Sequence, residues 1–237
     1  IVNAANTMEL GFVENYSQIK SVIWCPGTGQ SGFNSLGRIL NGEVNPSAKA
    51  SDTFVRDLTK TPTYNNFGFF EYDNMDEFAV DGMNPTFVNY TDGIYVGYRF
   101  YETAAEEGLI NYEEAVQYPF GYGLSYTEFE QKMGDLKVSD GTISVEVTVT
   151  NTGDVAGKDV VEVYYNPPYT NGGIEKASVN LAGFAKTQVL EPGASETVTV
   201  TFTEEDMASY DDKNEKAYVL EAGDYEISLR TDAHTVV

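Results

Sequence analysis

The chain contains 237 residues, which is enough for one large domain or two of ordinary size. Hydrophobic residues make up 41% and aromatic residues 13%, a composition that indicates a folded protein with a core and argues against intrinsic disorder. The net charge of −23 argues against nucleic acid and anionic membranes as partners, and the apolar runs are too short to span a bilayer.

The first residues show neither a methionine nor a basic segment followed by an apolar stretch. Because Ile1 lies inside an apolar run, we expect a fragment with sequence missing upstream. The cellular location stays open between the bacterial cytoplasm and secretion. The single cysteine, Cys25, cannot form a disulfide within the chain, and its place at a predicted strand end favours a structural thiol.

Residues 1–60 alternate strand and helix signals. Ile1–Ala4 and Ser21–Trp24 predict buried strands, and between them Thr7 is predicted to cap a helix that continues to about Asn15. A second helix is indicated by apolar residues at helical spacing and a glycine stop: Phe33, Leu36, Ile39, Leu40 and Gly42. This order of elements predicts an α/β fold with a parallel sheet covered by helices.

Residues 61–118 combine weak periodicity with many aromatic side chains. A long segment of this kind is typical of a functional or interface loop, so we predict an aromatic-rich loop over 61–92. We expect this loop to belong to the same α/β domain, which then covers residues 1–118. The aromatic residues concerned are Tyr64, Phe67, Phe69, Phe70, Tyr72, Phe78, Phe87 and Tyr90.

A junction between two domains is predicted over residues 119–132. The segment Pro119–Tyr126 places glycines at alternate positions among aromatic residues. Glycine permits tight backbone geometry and a close approach of neighbouring groups. We therefore expect Gly121, Tyr122 and Gly123 to hold the junction between the domains.

Residues 133–237 show a period of two, which is typical of strands. Valines and other apolar residues alternate with polar ones over 143–150, 198–203 and 225–230. Turn signals separate these runs at 151–154, 191–193 and 221–224. Strands at this spacing predict an all-β sandwich of the immunoglobulin or fibronectin III type.

Several motifs resemble those of glycoside hydrolase family 3, the β-glucosidase-like enzymes. Pro119–Tyr126 (PFGYGLSY) and Asp92–Tyr101 (DGIYVGYRFY) resemble two family segments, the second of which reads EGIYVGYRYYD. Gly29–Gly32 and Asn41–Ser47 resemble the family's GQEGG and NPSGK motifs, in the same order. The resemblance implies that residues 1–118 are the C-terminal part of an α/β sandwich domain and that residues 133–237 are a fibronectin III-like domain.

This resemblance implies retaining hydrolysis of terminal β-linked sugars by two carboxyl groups. The family's nucleophile is an Asp on a (β/α)8 barrel in a Ser-Asp-Trp context. Here Asp52 is followed by Thr53 and Asp140 by Gly141, so neither fits. Glu106–Gly108 has some likeness to the acid/base loop but lies in the wrong place. We assign no catalytic residue within the chain and expect both the nucleophile Asp and the acid/base Glu outside it.

Four residues are predicted to contact substrate. Phe69, Phe70 and Tyr72 can present ring faces to the C–H faces of a sugar, as a lip over the mouth of an active site. Asn3 lies at the carboxyl end of a predicted strand, on the side where α/β folds bind ligands. The expected partners are a β-linked oligosaccharide or glucoside and the missing barrel portion of the same enzyme, and neither a cofactor nor a metal is predicted.

Two alternatives remain open at this point. The chain can be a non-catalytic carbohydrate-binding module, which predicts sugar affinity without turnover. It can also serve assembly, with the aromatic loop as the interface of a homodimer. The acidic residues of 204–212 lack the regular ligand spacing of a calcium loop, so a solvated edge is the favoured interpretation.

Overall fold

In a computed structural model, residues 1–66 and 68–237 are described. The first half of the chain contains short elements joined by turns. The helices are α1 (Phe33–Leu40), α2 (Tyr98–Glu106) and α3 (Tyr112–Ala115), with 3₁₀ turns at Gly11–Asn15, Leu58–Lys60, Tyr64–Asn66 and Met75–Glu77. The strands are β1 (Phe54–Val55), β2 (Phe70–Glu71), β3 (Thr86–Phe87) and β4 (Val116–Tyr118), paired antiparallel as β1 with β4 and β2 with β3.

The two segments predicted as the first strands lie side by side. The Val2 amide donates to the Ile23 carbonyl and the Cys25 amide donates to the Val2 carbonyl, each at 2.8 Å. Together they form a parallel bridge between Val2 and Trp24. All sheets of the described residues are antiparallel. Of the predicted parallel sheet, the described residues therefore contain this bridge alone.

Helix α1 confirms the periodicity of residues 33–40, with Leu36 buried. The helix predicted from Thr7 is wrong in its start and type, because a 3₁₀ helix begins at Gly11 and lacks a side-chain cap. The Val13 amide bonds to the carbonyl of Leu10, three residues earlier, and Leu10 itself is buried. One apolar pair spaced by three residues suffices for a short turn but not for several turns of α-helix.

Helix α2 was not predicted from the sequence. It follows Gly97, whose φ of 60° turns the chain into the helix, and it buries Tyr101, Glu102 and Ala104. Its buried face carries a carboxylate and a phenol, so the apolar spacing that normally reveals a helix is weak. Tyr101 packs with Val55, Tyr112 and Val116 in the small core of this half.

The second half is a sandwich of two three-stranded antiparallel sheets, as predicted. The strands are β5 (Phe129–Ser139), β6 (Thr142–Asn151), β7 (Val160–Asn166), β8 (Asn180–Lys186), β9 (Ser195–Thr203) and β12 (Glu226–Arg230), with a small β10–β11 pair (Ser209–Tyr210 and Tyr218–Val219). One sheet has the order β5-β6-β9 and the other β12-β7-β8. Val145, Val147 and Val149 of β6 are fully buried between them, as alternating residues on one face of a strand should be.

The segment Phe120–Gly123 connects the two halves. The Gly121 amide donates to the Ala50 carbonyl, and the Ala50 amide donates to the Tyr122 carbonyl, each at 2.8 Å. On the other side, the Ala233 amide of the sandwich donates to the Phe120 carbonyl at 2.8 Å. One short segment therefore holds both halves through its backbone.

Side chains strengthen this connection. Tyr98 of α2 stacks on Phe120 at 4.8 Å and meets Tyr164 of β7 edge-on at 6.1 Å between ring centroids. Its hydroxyl accepts a hydrogen bond from the Leu181 amide of β8 at 2.9 Å. Helix α2 thus contributes to the packing of the sandwich. Within the part of the chain that the structure describes, no helix has both the length and the hydrophobicity needed to cross a membrane.

Candidate functional site

The predicted aromatic residues form a compact group on the β2–β3 hairpin. Phe70 and Phe87 are backbone partners, and their ring centroids lie 5.9 Å apart. Tyr72 lies 4.8 Å from Phe87 and 6.3 Å from Phe78, again between ring centroids. Because the strands are only two residues long, the packing of these rings against one another stabilises the hairpin.

The same group leaves much aromatic surface in solvent. Phe69 is 89% exposed and Tyr90 is 90% exposed, while Phe70 and Tyr72 are partly exposed beside their ring partners. Phe67 lies outside the described residues. Exposed ring faces held on a hairpin are suited to stack on a sugar or to pack against another protein surface.

Asn3, the fourth predicted residue, belongs to the parallel bridge and not to the hairpin. Its side-chain amide donates to the carbonyl of Cys25 at 2.7 Å. Nearby, the indole of Trp24 donates to the carbonyl of Ala4 at 2.9 Å. Asn3 therefore stabilises the end of the bridge between the two neighbouring segments, and its side chain is exposed.

A buried carboxylate, Glu102, lies where α2 meets the end of the sandwich. Its Oε2 atom is 3.0 Å from Nδ1 of His234, and the imidazole stacks on Tyr112 at 3.7 Å between ring centroids. Burial raises the pKa of Glu102 above its ordinary value, although the hydrogen bond to His234 opposes this effect. The Oε1 atom has no hydrogen-bond partner among the described residues. The group joins the two halves of the chain through their side chains.

A second buried carboxylate, Glu162 of β7, lies against the junction. It accepts a hydrogen bond from the Tyr164 hydroxyl at 2.7 Å. Burial raises the pKa of Glu162 to about 7. A Cβ atom added to Gly121 would lie 2.3 Å from its Oε2 atom, and Gly121 has a φ of 85°. The nearby Glu162 carboxylate and the positive φ of the backbone therefore both favour glycine at position 121.

Some of these residues carry a signal in the sequence itself. Glu162 interrupts an otherwise apolar strand, and a buried charge in such a run indicates a specific partner. The Asn45 side chain accepts from the Tyr126 amide at 2.8 Å and from the Ser125 hydroxyl at 3.0 Å. It also donates to the Ala156 carbonyl at 3.2 Å. Asn45, in the Asn-Pro-Ser motif, is thus a connector of the two halves.

Two of the acidic residues of 204–212, Asp206 and Asp211, accept hydrogen bonds within their own turns. Asp211 accepts from the amides of Lys213 and Asn214 at 2.9 Å, and these backbone bonds lower its pKa to about 2. Asp206 accepts from the Thr203 amide at 2.8 Å. Over residues 1–66 and 68–237, no group of three or more His, Cys, Asp or Glu side chains is arranged to hold a metal ion.

Comparison with known proteins places the chain in a family. Residues 1–98 match the glycosyl hydrolase family 3 C-terminal domain, and residues 159–233 match the fibronectin type III-like domain. The chain is 38% identical to beta-glucosidase A of Butyrivibrio fibrisolvens over 98% of its length. It is 36% identical to a beta-glucosidase of Ruminococcus albus over 99% of its length.

Solved structures agree with this relationship. A beta-glucosidase from Paenibacillus barengoltzii matches 99% of this chain with a TM-score of 0.84 and 34% identity. The chain covers 28% of the Butyrivibrio protein, 22% of the Ruminococcus protein and 24% of the Paenibacillus structure. It therefore spans about a quarter of the length of these relatives. The chain belongs to glycoside hydrolase family 3, of which it carries C-terminal domain sequence followed by the fibronectin type III-like domain.

Proposed function

We propose that this chain is part of a retaining β-glucosidase that removes terminal β-linked sugars, and that it shapes the sugar pocket and braces the domains. The observation that carries the proposal is the match of nearly the whole chain to beta-glucosidases, at 38% and 36% identity. The nucleophile Asp lies on a (β/α)8 barrel portion outside the chain, and the acid/base Glu also lies on sequence outside the chain. The substrate is a β-linked oligosaccharide or glucoside.

The two buried carboxylates support a structural role for this segment. Glu102 pairs with His234, and Glu162 accepts from Tyr164, so each is enclosed by side chains of the chain itself. A retaining glycosidase needs two carboxyl groups that face the same sugar, about 5–5.5 Å apart. Glu102 and Glu162 instead serve the contact between the two halves.

The first 118 residues, in this proposal, form the end of an α/β sandwich domain. The parallel bridge between Val2 and Trp24 supports this assignment, because parallel neighbours are the basic unit of such a sheet. Residues 119–132 form the junction and residues 133–237 the fibronectin III-like domain. The hydrogen bonds of Phe120, Gly121 and Tyr122 to both sides support the position of the junction.

Activity measurements test the proposal directly. The full enzyme that contains this chain should hydrolyse p-nitrophenyl β-glucoside, whereas the isolated chain should show no turnover above a blank. Turnover by the isolated chain that is abolished by Glu102→Gln or Glu162→Gln would place the active site within these residues and refute the division of roles.

The hairpin residues Phe69, Phe70 and Tyr72 form, in our proposal, a lip at the mouth of the pocket, and Asn3 lies on the ligand side of the α/β domain. The high exposure of Phe69 supports this role, since packing within the chain does not require its ring. In the full enzyme, Phe69→Ala should raise KM for cellobiose several-fold with little change in kcat. The matched control is Phe184→Ala, at an exposed phenylalanine of β8. Equal effects of the two variants would argue against the lip.

The aromatic hairpin also favours a second candidate role, as the interface of a homodimer. Exposed apolar side chains such as Phe69, Val80 and Met83 form the kind of surface that associates with another protein. Sedimentation of the wild type and of Phe70→Asp tests this role. A dimer that dissociates in the variant supports it, and a monomer in both cases rules it out.

A further inference from the structure

A cavity of about 650 Å³ lies between helix α2 and the connection from β7 to β8, away from the hairpin. This volume falls within the range of ligand pockets in proteins, about 300–1,000 Å³. One wall is formed by the segment from Tyr95 to Leu109, and the other by the segment from Asn166 to Ser178. Neither the hairpin aromatic residues nor the buried carboxylates Glu102 and Glu162 line it.

Direct contacts hold the two walls together. The Tyr95 hydroxyl donates to Glu175 at 2.6 Å, and the Ser178 amide donates to the Thr103 hydroxyl at 3.0 Å. The side chain of Lys176 is only 3% exposed. Its ammonium group donates to the Pro168 carbonyl at 2.7 Å and pairs with Glu221 at 2.5 Å. The cavity is therefore preformed, which reduces the entropic cost of binding a ligand.

The lining combines aromatic rings with neutral and acidic hydrogen-bonding groups. Tyr95, Phe100 and Tyr169 provide ring surface, and Glu106 and Asn171 provide acceptors or donors. Ser178 also lies in the lining, but its hydroxyl oxygen is buried from solvent.

This chemistry favours a neutral saccharide over an ion. The charge of Lys176 is compensated by Glu221, so an anion gains little from it. Glutamates of the rim oppose an anion further. A sugar presents C–H faces that stack on rings and hydroxyl groups that donate to carboxylates and amides, and both kinds of partner are present here.

We propose that this cleft between α2 and the β7–β8 connection is a second, non-catalytic saccharide-binding site. Its rings stack on the sugar face, and Glu106 and Asn171 form hydrogen bonds with sugar hydroxyls. Such a site would hold a chain of sugars near the enzyme without taking part in bond cleavage. The choice of a β-linked glucose disaccharide as the probe rests on the proposed function, whereas the site itself rests on the cavity.

Calorimetric titration of this chain with cellobiose tests the proposal. The wild type should bind, and Tyr169→Ala should weaken binding about tenfold, the effect of one lost stacking partner. Asn171→Ala should weaken it several-fold. The matched control is Tyr16→Ala, which removes an exposed tyrosine outside the cavity and should leave the affinity unchanged. Tyr169 is 44% exposed, so its variant should fold, and urea denaturation of both variants checks this.

Three results would overturn the proposal. They are the absence of binding by the wild type, an affinity that Tyr169→Ala leaves unchanged, and displacement of cellobiose by tetramethylammonium, which would indicate a cation site. Loss of binding in Phe69→Ala with retention in Tyr169→Ala would move the sugar to the hairpin. Because this titration measures no hydrolysis, its failure leaves the proposed β-glucosidase function untouched, and a failed activity assay leaves the cleft untouched.

Discussion

The sandwich and the first 118 residues differ in how completely they bury their apolar side chains. In the sandwich, Val147 of β6 and Val163 of β7 are fully buried, and the two sheets cover each other. In the first half, Phe12, Phe33 and Leu40 are each about half exposed. The sandwich thus has a large core between its two sheets, although some of its apolar residues such as Phe184 are exposed, whereas the first half has only a small core.

The two halves therefore depend on their surroundings to different degrees. The core between the two sheets depends on the sandwich itself, because the inner face of each sheet covers that of the other. Exposed apolar residues on α1 and around the first 3₁₀ turn are available for contact with a further protein surface. This observation supports the proposal that the first half packs against another portion of the enzyme.

Matched phenylalanine substitutions should show the largest contrast between the halves. Phe202→Ala in β9 removes a ring that is 4% exposed, and we expect the free energy of unfolding to fall by about 3–5 kcal/mol. Phe33→Ala in α1 removes a ring that is 51% exposed and should change it by less than about 0.5 kcal/mol. Urea denaturation followed by circular dichroism measures both values. Comparable losses would show that the first half is as well packed as the sandwich.

Glycine substitutions test the connection between the halves. We expect them to lower the free energy of unfolding by less than Phe202→Ala does. Gly121→Ala introduces a Cβ atom at a φ of 85° and 2.3 Å from the Glu162 carboxylate. We expect a loss of about 2–4 kcal/mol from backbone strain and the forced movement of Glu162. The control Gly193→Ala has a φ of 78° and open space around the new atom, so backbone strain of about 1–2 kcal/mol remains. Equal losses of the free energy of unfolding in the two variants, measured by urea denaturation, would show that the contact with Glu162 does not constrain position 121.

The pH dependence of stability tests the burial of Glu162 at the junction. We expect it to change the free energy of unfolding least of the three tests. Burial raises the pKa of Glu162 to about 7 from the ordinary value of 4.5. Between these values the folded chain keeps a proton that the unfolded chain has lost, so stability falls as the pH rises from about 4.5 to 7. From pH 5 to pH 8 the wild type should lose about 1–3 kcal/mol relative to Glu162→Gln.

Urea midpoints at the two pH values provide this measurement. The control Glu130→Gln changes an exposed carboxylate of β5 and should keep the wild-type slope. Glu102, whose pKa is also raised by burial, should leave part of the slope in the Glu162 variant. A Glu162→Gln variant with the full wild-type slope would mean that Glu162 stays ionised in the folded chain.

Local patterns predicted much of the architecture. The alternation of apolar and polar residues in β6 and β9 and the helix at Phe33–Leu40 were confirmed. Strand β12 was confirmed as a strand, but its polar residues Ser228 and Arg230 are buried, so the predicted alternation is wrong there. Helix α2 was missed, because its buried face includes Glu102 and its aromatic residues do not follow a clear stripe. The hairpin was predicted only as a loop, since its two-residue strands are held by ring contacts between positions that are distant in the sequence.

The candidate site was predicted less completely than the fold. The aromatic residues of the hairpin were selected from composition, and the structure groups Phe70 and Tyr72 around Phe87. Their contact with substrate, and that of Phe69 and Asn3, stays a prediction. The cleft at Tyr169 was not predicted, because its walls come from two segments that strands β4, β5 and β6 separate in the sequence.

The strands of the sandwich and the family motifs could be predicted from the sequence. The strands could be predicted because a residue's backbone preference and its periodic burial depend on near neighbours. Contacts between residues that are distant in the sequence form only in the folded chain. His234 pairs with Glu102 across 132 residues, and Asn45 reaches the Tyr126 amide across 81. Such contacts depend on the path of the whole chain, and no local pattern records that path.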